Sequence, residues 1–158
     1  MLTIHRVMEP KNLWENFFAS WGEKMMVDAY GWGSAPDAAR WGEQVFAFRE
    51  GTVTVGWTSL TAYPKDETVL ELAIGIWPNH QGKGHRRPML RLTAEKAFVD
   101  PLIDTVTMLV LDSVPRHSQQ CMRDAESGGD WIFAGRIWFP DPLRVFTLSR
   151  AAHESSLR

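Results

Sequence analysis

The run Ile74-Gly75-Ile76-Trp77-Pro78-Asn79-His80-Gln81-Gly82-Lys83-Gly84-His85-Arg86-Arg87-Pro88-Met89-Leu90 holds the parts of an anion cradle. Gly82 and Gly84 let backbone N–H groups approach a ligand closely. A helix that starts just after them offers unpaired N–H groups and the positive end of its dipole. Lys83, Arg86, Arg87 and Arg91 add positive charge, and no acidic residue stands between Glu71 and Glu95. The ligand this suits is a phosphate or a pyrophosphate. A glycine turn before a helix is common, however, and basic residues beside one are usually solvated surface. The elements around the stretch therefore decide its meaning.

A second group is Glu71, the one charge inside an apolar strand, flanked by Leu70 and Leu72. Alternation along a strand points it away from the face of Leu72, Ile74 and Ile76. Burial there raises a carboxyl group toward the range of a useful general base. The competing reading is a strand-end glutamate in water or in an ion pair. Asp66 and Glu67, in the turn before the strand, are weaker options. His80 and His117 titrate nearer neutrality by type, and His80 reads as a surface residue of the loop. Cys121 has no basic partner implied nearby, which argues against a nucleophile.

These residues need elements to position them. Leu2 to Val7 alternates weakly and predicts a strand. Glu9-Pro10 opens a helix in which Leu13, Trp14, Phe17, Phe18 and Trp21 recur at helical spacing. Glu23 to Tyr30 predicts a second helix, Gly31 to Pro36 a loop, and Asp37 to Trp41 a helical turn. Val45 to Arg49 predicts a strand, Glu50-Gly51 a hairpin, and Thr52 to Leu60 the returning strand with a bulge at Gly56. Val69 to Trp77 is the strand that Pro78 ends. The helix after the glycines starts near Pro88 and runs to Phe98. Val106 to Leu111 reads as a strand buried on both faces. Pro115 to Ala125 predicts a polar helix, Ile132 to Phe139 and Leu143 to Leu148 two closing strands, and residues 152–158 a frayed tail. The fold class is α+β in layers: one domain over residues 1–158, a mixed sheet with helices on both faces.

Composition excludes several function classes. The chain has 158 residues, 44% hydrophobic and 23% charged, the mix of an ordinary soluble globular domain. A formal net charge of −2 argues against a polyanionic main partner, because nucleic-acid binding leans on excess Lys and Arg. A single cysteine excludes an internal disulfide and a cysteine metal cluster, and it fits a reducing cytoplasm. Met1 to Pro10 is too polar for a signal peptide, and no apolar run approaches membrane-spanning length. No metal site is expected. Of eight tryptophans, five precede Pro64; most should pack the core, and a few could line a recognition groove.

From about Val45 to Leu148 the chain resembles the GNAT superfamily of acyl-CoA-dependent N-acetyltransferases. The hairpin Phe46 to Gly56 is similar to that family's second and third strands. Ile76-Trp77-Pro78-Asn79-His80-Gln81-Gly82-Lys83-Gly84 is similar to its acyl-CoA motif, an apolar strand end and a proline followed by Gln/Arg-x-x-Gly-x-Gly/Ala. The strand Val106 to Leu111, a helix and two closing strands follow in the family order, giving a central sheet of about six to seven strands. Asp141 to Leu148 is similar to the branch that acetylates ribosomal-protein N-termini. Four departures stand out, one of them that Gly128-Gly129-Asp130-Trp131-Ile132 replaces the usual Gly-Phe after the later helix. Arg86 occupies the motif's last glycine or alanine. Pro115-Arg116-His117-Ser118 replaces an asparagine that often opens the later helix. No tyrosine sits in that helix to protonate a departing thiolate.

The resemblance implies acetyl-CoA as co-substrate and a primary amine, on a small molecule or a protein N-terminus, as acceptor. It implies that Ile74 and Ile76 bind the pantetheine arm through their backbones. Gln81 matches the motif. Gly82, Lys83, Gly84 and His85 would hold the pyrophosphate through backbone N–H groups, with Arg86, Arg87 and Lys83 as charged donors. Glu71, or a water relay, would take the amine's proton. Ser118, Cys121 and Asp124 are the candidates for the thiolate acid, each with helix surface as the plain alternative. The acceptor would lie between Trp21–Trp41 and Trp131–Pro142, where Asp28, Asp37 and Glu43 could meet a cation. A homodimer is expected as an option. The alternatives are a GNAT-fold module that binds CoA or a partner without turnover, and a nucleic-acid-modifying acyltransferase.

Overall fold

The computed structural model describes residues 1–21, 44–63, 65–111, 131–138 and 142–158. In chain order these form β1 (Leu2–Val7), α1 (Lys11–Trp21), β2 (Gln44–Glu50), β3 (Val53–Tyr63), β4 (Asp66–Ile76), a 3-10 turn (Pro78–His80), α2 (Arg86–Ala97), β5 (Thr105–Leu111), β6 (Ile132–Trp138), β7 (Pro142–Ser149) and α3 (Arg150–Ser156). The strands make one seven-stranded sheet in the order β1-β2-β3-β4-β5-β7-β6. Every neighbouring pair is antiparallel except β4 and β5, which run parallel and are joined through α2. This is the layered α+β class expected from the sequence.

The two faces differ in content. On one, Phe46, Phe48, Leu60, Leu72, Ile74, Val106, Met108, Phe146 and Leu148 pack with Met89, Leu90, Ala94 and Ala97 of α2. Thr58 and Thr93 close a buried hydroxyl pair at 2.8 Å between β3 and α2. On the other face, Trp14 and Phe17 of α1 pack with Val45 and Trp57. Trp14 and Phe17 both meet the Trp57 ring edge to face, at 4.3 and 5.4 Å between centroids, the geometry aromatic quadrupoles prefer. Helices therefore cover both faces. The hairpin turns at Gly51, whose φ of +62° suits glycine. Phe48 pairs with Gly56 but Arg49 with Thr54, so Val55 is the extra residue of a bulge beside the expected glycine.

Three expectations need correction. The helix after the glycines begins at Arg86, and Pro88 is its third residue; proline is tolerated there because first-turn N–H groups have no intrahelical acceptor. β4 begins at Asp66, where the Asp66 carboxylate accepts from the Thr68 N–H at 2.9 Å and its hydroxyl at 2.7 Å. The expected tail folds as α3. Ser149 caps it by accepting from the Ala152 N–H at 3.1 Å, and His153 is buried against Phe98. The helices expected over Glu23–Tyr30 and Pro115–Ala125 lie outside the described residues.

Candidate functional site

The β4–β5 ladder is short. It pairs Val69 with Thr105, Leu70 with Val106 and Glu71 with Thr107, and stops. β4 nevertheless continues to Ile76 against β3, with Gly56 opposite Ile76. The two parallel strands therefore part after Glu71 and leave a split in the sheet. The Trp77 N–H donates to the Val55 carbonyl at 3.0 Å, toward β3. By strand alternation the backbone groups of Ile74 and Ile76 face the other way, toward the split.

The chain leaves the strand through a turn whose shape is held locally. Pro78 starts the 3-10 turn, and the His80 N–H donates to the Trp77 carbonyl at 2.9 Å. Gln81 Nε2 donates to the Ile76 carbonyl at 3.2 Å. The Gln81 side chain thus ties the loop to the strand end and fixes where the glycines begin. Gly82 and Gly84 have φ of +73° and +80°, a region other residues enter at a cost of about 1–2 kcal/mol. Among the described residues, a Cβ on either would meet no heavy atom within 4 Å beyond its own chain neighbours. Backbone conformation, not crowding, requires glycine here. Successive N–H groups in such a turn line an anion-binding concavity.

α2 starts immediately afterward. His85 is its N-cap and makes no side-chain cap bond, and the first turn holds no acidic residue. Arg86 and Arg87 occupy that turn instead. Cations at the positive end of a helix dipole are unfavourable by roughly 0.3–1 kcal/mol each, a penalty that a bound anion reverses. Arg86 adopts ordinary helical backbone, since no residue other than glycine has positive φ among those described. The motif's usual small residue is therefore not demanded by conformation at this position. Lys83 and Arg87 are exposed, and Arg86 is half-buried.

Glu71 stands on the last rung before the split. Leu72 and Ile74 belong to the α2 face, while Ala73 packs with the α1 cluster. Alternation places Glu71 with Ala73, on the α1 face. Its cross-strand neighbours are Thr61 on β3 and Thr107 on β5. Burial pushes its carboxyl group above the ordinary value of 4.5, and among the described residues no ion pair offsets this.

The structure thus brings Ile74, Ile76, Gln81, Gly82, Lys83, Gly84, His85, Arg86 and Arg87 together at one strand-turn-helix junction, with Glu71 at the apex of the adjoining split. Ser118 and Cys121 lie outside the described residues, as do Asp124, Asp28, Asp37 and Glu43. One neighbour escaped sequence reasoning: the Glu50 carboxylate of the hairpin tip lies 3.8 Å from His85 Nε2. Nothing in a separation of 35 positions signals that meeting. Only the docking of the hairpin beside α2 creates it.

No protein-family model matches the chain, and no curated protein matches it in sequence. Solved structures do match in shape. Aminoglycoside acetyltransferase AAC(6')-Ib in complex with coenzyme A superposes with a TM-score of 0.79 at 14% identity, covering 100% of both chains. Spermidine N-acetyltransferase from Vibrio cholerae, in complex with CoA and spermine, gives 0.73 at 14% identity, over 97% of this chain and 98% of that one. At such identities the likeness establishes the fold. The described part of the chain folds as these N-acetyltransferases do.

Proposed function

We propose that the chain is an N-acetyltransferase that moves an acetyl group from acetyl-CoA to a primary amine. The observation that carries this is the continuity of the split beside Ile74 and Ile76 with the positive-φ glycines and the arginine-bearing start of α2. An extended thiol arm fits the former and a pyrophosphate the latter. The fit is specific: the turn is open above Gly82 and Gly84, and the positive helix end carries two cations in place of acids.

In this reading the backbone of Ile74 and Ile76 holds the pantetheine arm. The N–H groups of Gly82, Lys83, Gly84 and His85 hold the pyrophosphate, and Arg86, Arg87 and Lys83 neutralise it. Acetyl-CoA supplies an activated acyl group as a thioester. The protein's work is to align the amine and to remove its proton, since an ammonium has no lone pair to attack with. Glu71 takes that proton, directly or through one water. Its partial burial favours a basic carboxyl group, and its rung at the start of the split suits it to act on an amine brought to the arm's inner end. The nitrogen gains the acyl carbon, the carbon–sulfur bond breaks, and the thiolate leaves with a proton. Ser118 and Cys121 remain the candidates for supplying that proton. The acceptor is a polyamine, an aminoglycoside-like amine or, as the Asp141–Leu148 likeness suggests, a protein N-terminus. The setting is the cytoplasm, in keeping with one cysteine and with the absence, among the described residues, of a helix able to cross a membrane.

Acetyl-CoA is expected to raise Tm, and thiol release should appear with at least one member of a panel of spermidine, kanamycin and short peptides with free N-termini. Stabilisation without thiol release for every amine would replace the enzyme with a CoA-binding module. Gly84→Asp sets a carboxylate against the pyrophosphate and should abolish CoA binding in calorimetry; unchanged binding refutes the placement.

A further inference from the structure

His85 is the residue that this site leaves unexplained. Its side chain is only 10% exposed, yet it is the N-cap of a helix and borders an open turn. Among the described residues its buried Nε2 has no hydrogen-bond partner. The Glu50 carboxylate stands 3.8 Å away, too far for a hydrogen bond and near enough for an ion pair. A buried imidazole nitrogen left without a partner is unfavourable, so a state in which it is satisfied has something to gain.

We propose that His85 binds a proton when a pyrophosphate enters the Gly82–Gly84 turn, the imidazolium then pairing with Glu50 and locking the β2–β3 hairpin tip onto the start of α2. The inference rests on the acyl-CoA reading of the turn. Glu50 faces the imidazole from β2. Its partner on β1 is Leu2, with the chain's own amino terminus one residue beyond. From β3, Gly56 lies against Met89 of α2, an uncharged contact. Beside it in the sequence, Lys83 in the turn and Arg86 and Arg87 on α2 are cations, which disfavour another positive charge while the turn is empty. A pyrophosphate inverts that balance, because it places two negative charges amid the same groups. His85 N–H and the helix-start donors then face an anion, while Nε2, once protonated, gains Glu50 as acceptor.

The sign follows directly. A group that is protonated in the complex and neutral without it takes up a proton on binding, and affinity rises as pH falls. The probe is 3′-dephospho-coenzyme A, because the 3′-phosphate of coenzyme A itself titrates near pH 6 and would mask the imidazole. Calorimetry at pH 7 in PIPES, MOPS and imidazole buffers should give a binding enthalpy that varies with the buffer's ionisation enthalpy. The slope should report uptake of a fraction of one proton. Affinity should weaken several-fold from pH 6 to pH 8. His85→Gln should bind with a slope of zero. Glu50→Gln, a change at a half-exposed side chain, should bind with a reduced slope and a flatter pH profile. A zero slope in the parent protein overturns the inference and leaves the acyl-CoA reading intact, as does an unchanged slope in either variant. Absence of any binding by the parent, with coenzyme A as well, overturns both.

Discussion

At the scale of single residues, Glu71 carries a contradiction that a test can use. A carboxyl group raised by burial binds its proton more tightly in the folded chain than in the unfolded one. Below the unfolded-state value both states hold the proton, and the burial is harmless. As pH rises through the raised folded value that contribution to stability is lost, because the unfolded chain binds fewer protons there. Glu71→Gln keeps the shape and removes the charge. It should therefore melt at a higher temperature than the parent at pH 7, with the difference vanishing near pH 4. The same variant should lose acetyl transfer by roughly 100-fold at neutral pH, the lower end of what a general base supplies, with acetyl-CoA affinity unchanged. Higher stability together with an unaffected rate would place the base elsewhere or make it water. Such opposed effects would mark a partly buried carboxylate kept for its chemistry at a cost in stability.

At the scale of elements, β4 is the strand on which everything else is registered. One edge follows β3 to its end; the other leaves β5 after Glu71. Gly75 shows how closely its α1 face is filled. A Cβ there would stand 2.7 Å from Phe17 Cζ and closer still to the Trp57 ring. These two rings are fully buried and have nowhere to retreat. Gly75→Ala should thus destabilise the fold by about 1–3 kcal/mol, the usual range for overpacking, read as a lower urea midpoint. Since the β4 backbone positions Ile74 and Ile76, CoA affinity should fall with it. An unchanged midpoint would mean that α1 moves freely on the sheet, contrary to the edge-to-face packing of Trp14 and Phe17 on Trp57.

At the scale of the whole molecule, the C-terminal helix closes the circuit from sheet to site. Arg150 donates from Nη1 to the Phe98 carbonyl at 2.9 Å, from Nη2 to the Asp100 carbonyl at 2.7 Å, and from Nε to the Ile103 carbonyl at 3.1 Å. Its guanidinium also lies over the Phe98 ring, 5.1 Å from the centroid. One side chain thus satisfies carbonyls at the end of α2 and in the loop that leads to β5. Arg150→Ala should cost about 2–3 kcal/mol, from several hydrogen bonds at roughly 1 kcal/mol each. Removal of residues 150–158 should cost more; chemical denaturation measures both. The sequence showed no sign of this clamp, because Ala151-Ala152-His153 lacks an amphipathic period long enough to stand alone. Helix α3 exists because His153 and Ala152 find Phe98 and the sheet core. By contrast, the strands, the Gly51 turn and the strand-glycine-helix junction were all legible locally: alternation, turn residues and helical spacing act over a few neighbours. The positive-φ glycines and the helix start after them belong to that legible part, since φ preferences and helix dipoles are properties of the segment itself. What only the tertiary structure decided is where strands part and which distant side chains meet. The split after Glu71, the desolvation of its carboxyl group and the approach of Glu50 to His85 all depend on pairings between segments far apart in sequence. No local pattern encodes them.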